Sequence, residues 1–442
     1  GDQSFSYGGN NESQGDFSIS MGVRNIAKGI NSIALGEGND SSALSSVAMG
    51  TDNQVASSAD YSIAMGFESS ANGIVSVAIG NNATASGDNS LAIGGENIVA
   101  SGNHSFASGE NTTASGNNSL AIGVAVQSTG ITSIAMGNGS AATGNYSASI
   151  GQNTEASGTI SLALGNGSEA SNTVSVAIGN RTEASGPAAV ALGEDTEASG
   201  DNSTAMGLNT KASGISSTTM GSGTEATGNT STAIGSATEA SGDGSTAMGN
   251  DTTASGEIST AMGDGTVASG KISTASGQST EASGDNSTAM GLQTEASGDG
   301  SVAMGANTTA SGNYSTALNN TTQASASSSF ASGLATTASG EASTAMGSQT
   351  TASGKFSTAM GQLSTADGEV SVAIGYANIA SGEQAQAYGS NAEASGDNSF
   401  AFGTFSTTTA SGAGSFSFGE DNESKEVGSF TMGALNIVDG SG

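Results

Sequence analysis

The sequence predicts an all-β protein, a parallel β-solenoid of about thirty coils, each fourteen residues long and built from two short strands. Three observations predict it. Aligned on the glycine that closes "STAMG", the chain repeats every fourteen residues from Gly8 to Gly433, interrupted by two intervals of sixteen and one of fifteen. Each unit divides into halves that both read x-x-A-x-G, as "STAMG" and "TEASG" do within residues 196–207. All 13 Met fall in a single column of the repeat.

The elements follow in order when each unit is counted from the residue after "ASG", so that "DNSTAMGLNTKASG" (201–214) supplies positions one to fourteen. Positions three to seven form the first strand and its closing glycine, and positions ten to fourteen the second. The glycines at seven and fourteen are read as turn residues with positive φ, each ending its strand. Side chains alternate along a strand, so alanines at five and twelve, such as Ala205 and Ala198, point inward and form a thin core. Thr at position ten faces inward or toward the turn.

Their neighbours point outward. Positions eleven and thirteen are polar, with Glu155, Glu169, Glu183, Glu197, Glu225, Glu239, Glu281 and Glu295 at eleven, and they face water. Positions four and six are apolar or β-branched. The column at six holds Met49, Met65, Ile79, Met136, Ile178, Met206, Met248, Met262, Met290, Met304, Met346, Met360, Phe402 and Phe418, the candidate inter-chain residues. About thirty coils stacked roughly 4.8 Å apart would carry this stripe for about 145 Å. Burial of each such side chain contributes roughly 1.5–3 kcal/mol, and monomers rarely expose patches beyond a few hundred Å². Self-association of parallel copies in cyclic symmetry is therefore expected.

Composition narrows the function classes. Gly numbers 69, aromatic residues are 4%, Trp and Cys are absent, and close to half of the 34% hydrophobic fraction is Ala. No large aliphatic core can be assembled from this, and only the periodicity separates the chain from a disordered one. The formal net charge is −32, with only 7 Lys and Arg, widely scattered. Nucleic acid is excluded as a partner for want of a basic patch. No run approaches the roughly 18 apolar residues of a spanning helix, so this segment does not insert into a membrane. The opening "GDQSFSYGGN" lacks the features of a signal peptide.

"NSLAIG" (89–94, 118–123), "VSVAIG" (75–80, 174–179) and "TEASGDNSTAMG" resemble the head repeats of trimeric autotransporter adhesins, the family typified by the Yersinia adhesin. The resemblance covers essentially the whole chain. It implies a left-handed β-roll, a homotrimeric rod, and an extracellular place at the bacterial cell surface or in the secreted medium. The implied function is attachment to host matrix proteins, to other surfaces or to sister cells. No heptad run or terminal amphipathic strand series is visible in these 442 residues. The expectation is an excised adhesin head. The alternative is a subunit of a free filament assembled head to tail, since "ALNIVDG" (434–440) ends at position fourteen and "DQSFSYG" would continue the count.

Catalysis finds no constellation. His104 is the only histidine and is read as a surface turn residue, and no phosphate-loop motif occurs. No cofactor is expected. The Glu column, with Asp201, Asp243, Asp285 and Asp299 at position one, raises Ca²⁺ as a ligand, but a solvated acidic face is the preferred reading. Ice binding is a minor alternative, disfavoured because the outward polar positions mix Glu, Lys and apolar residues with Thr. The array is expected to be one continuous domain, 1–442, with irregular coils at 51–66, 95–109 and 404–419. Bulges there make Tyr61, His104 and Phe405 weak candidates for ligand contact, toward an unidentified matrix protein or cell-surface ligand.

Overall fold

The computed structural model describes residues 1–439, and Gly440, where the head-to-tail expectation places its junction, lies outside them. Described residues form strands, turns and bends, with no helix among them. The chain divides into two compact units, Gly1–Gly223 and Thr224–Gly442. Each is a parallel β-solenoid. In the first unit, long strands run from Phe5–Gly9 to Thr218–Ser222 and short strands from Glu12–Ser13 to Lys211–Ala212. In the second, short strands run from Glu225–Ala226 to Ile437–Val438 and long strands from Thr232–Ser236 to Phe430–Ala434.

Register follows directly from the repeat. Thr204 pairs with Thr218 and Met206 with Met220 on the long ladder, and Glu197 with Lys211 on the short one, all in parallel. Backbone hydrogen bonds climb the same way: Thr204 N–H donates to Ser217 C=O at 2.9 Å, and Glu197 N–H to Thr210 C=O at 2.8 Å. Identical residues therefore stack in columns, and each column is a property of one repeat position.

The inward alanines are completely buried, Ala198 and Ala205 at 0% exposure. Two polar columns share the core with them. Ser203 at position three and Thr210 at position ten are as buried as the alanines, because alternation that turns position five inward also turns position three, and likewise ten with twelve. A core with only small residues brings the two sheets close together, and bulkier exceptions such as Ile98 and Val126 are rare.

The glycines act differently from expectation. Gly207, at position seven, has φ +127 but lies within the strand Thr204–Leu208 rather than after it. Position fourteen is glycine for lack of space, not for positive φ. A Cβ on Gly200 would lie 2.1 Å from Gly214 C=O. The left-handed corners are positions two and nine, as at Asn202 (φ 55) and Asn209 (φ 57). There Ser203 N–H closes a four-residue turn onto Gly200 C=O at 3.1 Å.

A second device stiffens the first unit. Asn11, Asn25, Asn39 and Asn53 at position ten form a ladder through the core. Asn39 donates from Nδ2 to Leu35 C=O (3.0 Å), Gly50 C=O (2.8 Å) and Asn25 Oδ1 (2.9 Å). Its own Oδ1 accepts from the backbone and side-chain nitrogens of Asn53 at 3.1 and 2.9 Å. Each amide thus satisfies the chain above and below it.

Candidate functional site

The long strand turns positions four and six outward, and these columns form a continuous uncharged surface along each unit. Met49, Met65, Ile79, Met136, Ile178, Met206, Met248, Met262, Met360 and Phe402 are half-buried by neighbouring turns. Met290, Met304, Met346 and Phe418 are exposed by about as much, from 38% to 44%. No Asp, Glu, Lys or Arg stands at position four or six in any turn. In a chain of net charge −32 that exclusion is itself a signal, and the sequence carries it. It marks a face that water does not fully claim.

Within the second unit the face becomes aromatic toward the later turns. Phe402 and Phe418 stack at 4.8 Å between ring centroids, Phe400 and Phe416 at 5.6 Å, and Tyr388 lies 5.6 Å from Phe400. Phe400, Phe416, Phe418, Phe430 and Met432 line an apolar depression of about 200 Å³. In-register parallel pairing stacks Phe402 on Phe418 and Phe400 on Phe416, each pair at one position in successive turns, whereas Tyr388 at position six meets Phe400 at position four of the next turn diagonally.

Charge is confined to the corners and the short-strand face. All seven cations sit in ion pairs: Arg24 with Glu37, Lys28 with Asp40, Arg181 with Glu194 and Asp195, Lys211 with Glu197, Lys271 with Glu257, Lys355 with Glu341, and Lys425 with Glu423. Arg181 grips Asp195 with two nitrogens, at 2.5 and 2.6 Å. That contact holds the Asp195 carboxyl below its usual range. Glu155, Glu169 and Glu183 stack in register without a cation between them. Partial desolvation, then the charges of Glu155 and Glu183, push the Glu169 carboxyl above its usual range, although its side chain is exposed.

Asp at position one has a backbone role. Asp243 Oδ1 accepts from Asn229 N–H at 2.8 Å, Asp285 Oδ1 from Lys271 N–H at 2.9 Å, and Asp299 Oδ1 from Asp285 N–H at 3.2 Å. Among the described residues no group of three or more His, Cys, Asp or Glu is placed to hold a metal ion.

The weak ligand-contact candidates are not brought together. Tyr61 and His104 occupy the position-two corner, three turns and more than forty residues of chain apart, and Phe405, 83% exposed, lies in the bulge between Phe400–Gly403 and Thr408–Ala410. The extra residues of coil 51–66 fall after Gln54–Val55, beside a polar depression of about 500 Å³ whose lining includes Lys28, Asp40, Gln54, Ser57 and Asn72. In coil 95–109 the extra residue shifts the register, so that Asn81 faces Glu96. Among the described residues no helix is long and apolar enough to cross a membrane.

The family model described as the YadA head domain repeat, two copies to the model, matches this chain in overlapping segments along most of its length. They begin with 13–38 and 27–53, continue through segments such as 184–210 and 240–266, and end with 380–406 and 394–422. No curated protein matches the chain.

Proposed function

The chain belongs to the family of YadA head domain repeats, and from that premise we propose that it is the head of a trimeric surface adhesin, an extracellular fibre that attaches a bacterium to matrix proteins, surfaces or other cells. The observation that carries this reading is the charge-free apolar face at positions four and six. Family membership implies self-association in trimers and a surface-exposed, adhesin-type role rather than an enzymatic one.

Three copies set side by side would turn their long-strand faces to a common axis. Met206, Met248, Met262 and the other residues of column six would then form the inter-chain core, and the acidic short-strand faces would meet water. The array 1–442 is treated as one functional repeat region. In support, the family match at 212–238 runs across the boundary between the two compact units. Adhesion would use the outer surface broadly, with the bulged coils and Tyr61, His104 and Phe405 as points of local specificity.

Light scattering tests the assembly. A threefold mass relative to the 42.1 kDa chain is expected, reduced to one chain when Met206, Met248 and Met262 are replaced by Glu. Mass that grows without limit with concentration would favour a head-to-tail filament instead. A monomeric parent would remove the trimer. Adhesion is then tested by retention of fluorescent protein on matrix-coated and uncoated surfaces, and equal absence of retention on all would count against the adhesive role.

A further inference from the structure

One coil of the first unit breaks the period on its short-strand side. Coil 51–66 carries Ala56-Ser57-Ser58-Ala59 where a regular turn has only positions thirteen and fourteen. Ala43 and Ala59 also stand where the turns around them have Gly29 and Gly73, so side chains occupy a column that elsewhere leaves no room for a Cβ. The backbone is looser here. Ser42 N–H reaches Val55 C=O at 3.3 Å, against 2.9 Å for Ser199 N–H to Ala212 C=O at the same step of a regular turn. Beside the bulge lies the polar depression of about 500 Å³.

The side chains that line it depart from the repeat as well. Position thirteen is Ser or Thr in every turn from Ser86 to Ser353, but Lys28 and Asn72 hold it here, and both line the depression. Gln54 replaces the more usual Glu or Thr at position eleven. The insertion and the substitutions fall at one place, although each alters a different column.

The chemistry is neutral and two-sided. Lys28 Nζ donates to Asp40 Oδ2 at 2.8 Å, and Ser42 Oγ donates to the other Asp40 oxygen. The one cation and the one anion of the lining therefore cancel, in a chain of net charge −32. The Gln54 and Asn72 amides and the Ser57 hydroxyl are exposed and have no side-chain partner among the described residues. They offer donors and acceptors together, and the Lys28 ammonium keeps two further N–H groups. A ligand that uses all of these must itself donate and accept at neighbouring atoms without carrying charge. Hydroxyl groups on adjacent carbons do so. The lining has no aromatic ring and no deep apolar slot to seat the anchor side chain of a peptide. Its size falls in the range of small-molecule sites, about 300–1,000 Å³, enough for one or two sugar rings.

We propose that this depression binds a neutral glycan, with Gln54, Asn72, Ser57 and Lys28 hydrogen-bonding its hydroxyl groups. The site gives the adhesive reading above a ligand class, and it rests on that reading for its purpose.

A glycan array that displays neutral, sialylated and sulfated glycans supplies the probe. Fluorescent full-length chain is compared with Gln54→Ala combined with Asn72→Ala, with a chain lacking Ser57 and Ser58, which restores the fourteen-residue coil, and with Gln323→Ala, a change at position eleven far along the array. Binding to neutral glycans is expected for the parent and for Gln323→Ala. The double variant should lose about tenfold or more, the worth of two hydrogen bonds, and so should the deletion, with the far-ultraviolet circular dichroism spectrum unchanged in both. A parent that binds no neutral glycan, binds only anionic ones, or binds equally well after both changes overturns the site, as does binding at these residues to an arrayed peptide instead. Retention of the same chains on matrix-coated surfaces keeps the two readings apart. Retention without glycan binding overturns the glycan site and leaves the adhesive role, whereas glycan binding without retention supports the site and counts against attachment to matrix.

Discussion

Gly214 C=O stands 2.1 Å from the point where a side chain on Gly200 would carry its Cβ. The same relation recurs from turn to turn, and it sets how closely the coils stack at this edge. Ser199 and Gly200 N–H groups both donate to Ala212 C=O, at 2.9 and 3.2 Å, which draws the backbone in. At Asn172, where a Cβ does stand in this column, the N–H turns to Ser175 Oγ at 3.2 Å instead. Gly200→Ala is therefore expected to destabilise by about 1–3 kcal/mol, the usual range for overpacking. Gly207→Ala should cost more, since Gly207 combines φ +127 with Gly221 C=O at 1.9 Å from the would-be Cβ. Urea denaturation followed by circular dichroism checks both, and a Gly200→Ala chain as stable as the parent would refute the crowding argument.

The asparagine ladder predicts a larger loss. Asn39→Ala strips partners from Leu35 C=O, Gly50 C=O, Asn25 Oδ1 and the Asn53 nitrogens in the core. Each buried group left unsatisfied costs roughly 1–3 kcal/mol, so a loss of at least about 3 kcal/mol is expected. Asn39→Ser should lose less, because Ser69 continues the same column and bonds to Gly80 C=O at 3.0 Å. Equal destabilisation by the two substitutions would show that volume, not hydrogen bonding, is what the ladder provides.

Much of this was legible in the sequence because a strict period turns each residue choice into a column. Ala205 inward and Met206 outward follow from alternation alone, and both are found so. Ser203 in the core was within reach of the same alternation, but a polar residue there runs against the usual sorting of side chains by polarity. Gly200 was misread because glycine is compatible with positive φ and with crowding alike, and only the position of Gly214 C=O separates them. Ile160 at a left-handed corner could not be read from the sequence, since every local preference of a β-branched residue argues against it. The candidate face was visible as an apolar stripe. Its complete lack of charge was equally visible and is the stronger sign.

Position ten also predicts a gain. Thr210 Oγ1 is buried without a hydrogen-bond partner, and Val126 already fills the same column completely buried. Valine has nearly the shape of threonine and leaves no hydroxyl to desolvate. Thr210→Val should therefore leave stability unchanged or raise it by roughly 1 kcal/mol. A clear loss in thermal denaturation would mean that the hydroxyl is bonded in solution, through water or a shifted rotamer.

The glutamate stack gives the pH dependence its sign. Glu169 holds its proton to higher pH in the folded chain than a glutamate ordinarily does, through desolvation and then the charges of Glu155 and Glu183. A raised folded pKa means that the folded state binds the proton more tightly than the unfolded one. The contribution to stability is thus fully present below about 4.5 and is lost as pH rises through the folded value. At neutral pH the stack opposes folding, and Glu169→Gln should raise the thermal midpoint. Like charges directly opposite on neighbouring strands cost roughly 0.2–1 kcal/mol a pair, and these side chains meet water, so the lower end applies. Gln323 occupies position eleven naturally, so the amide fits the column. The advantage should vanish below pH 4, where both chains are neutral at this site, and shrink in molar salt, which screens the stack. An advantage that persists unchanged at low pH would assign the gain to strand preference rather than to charge.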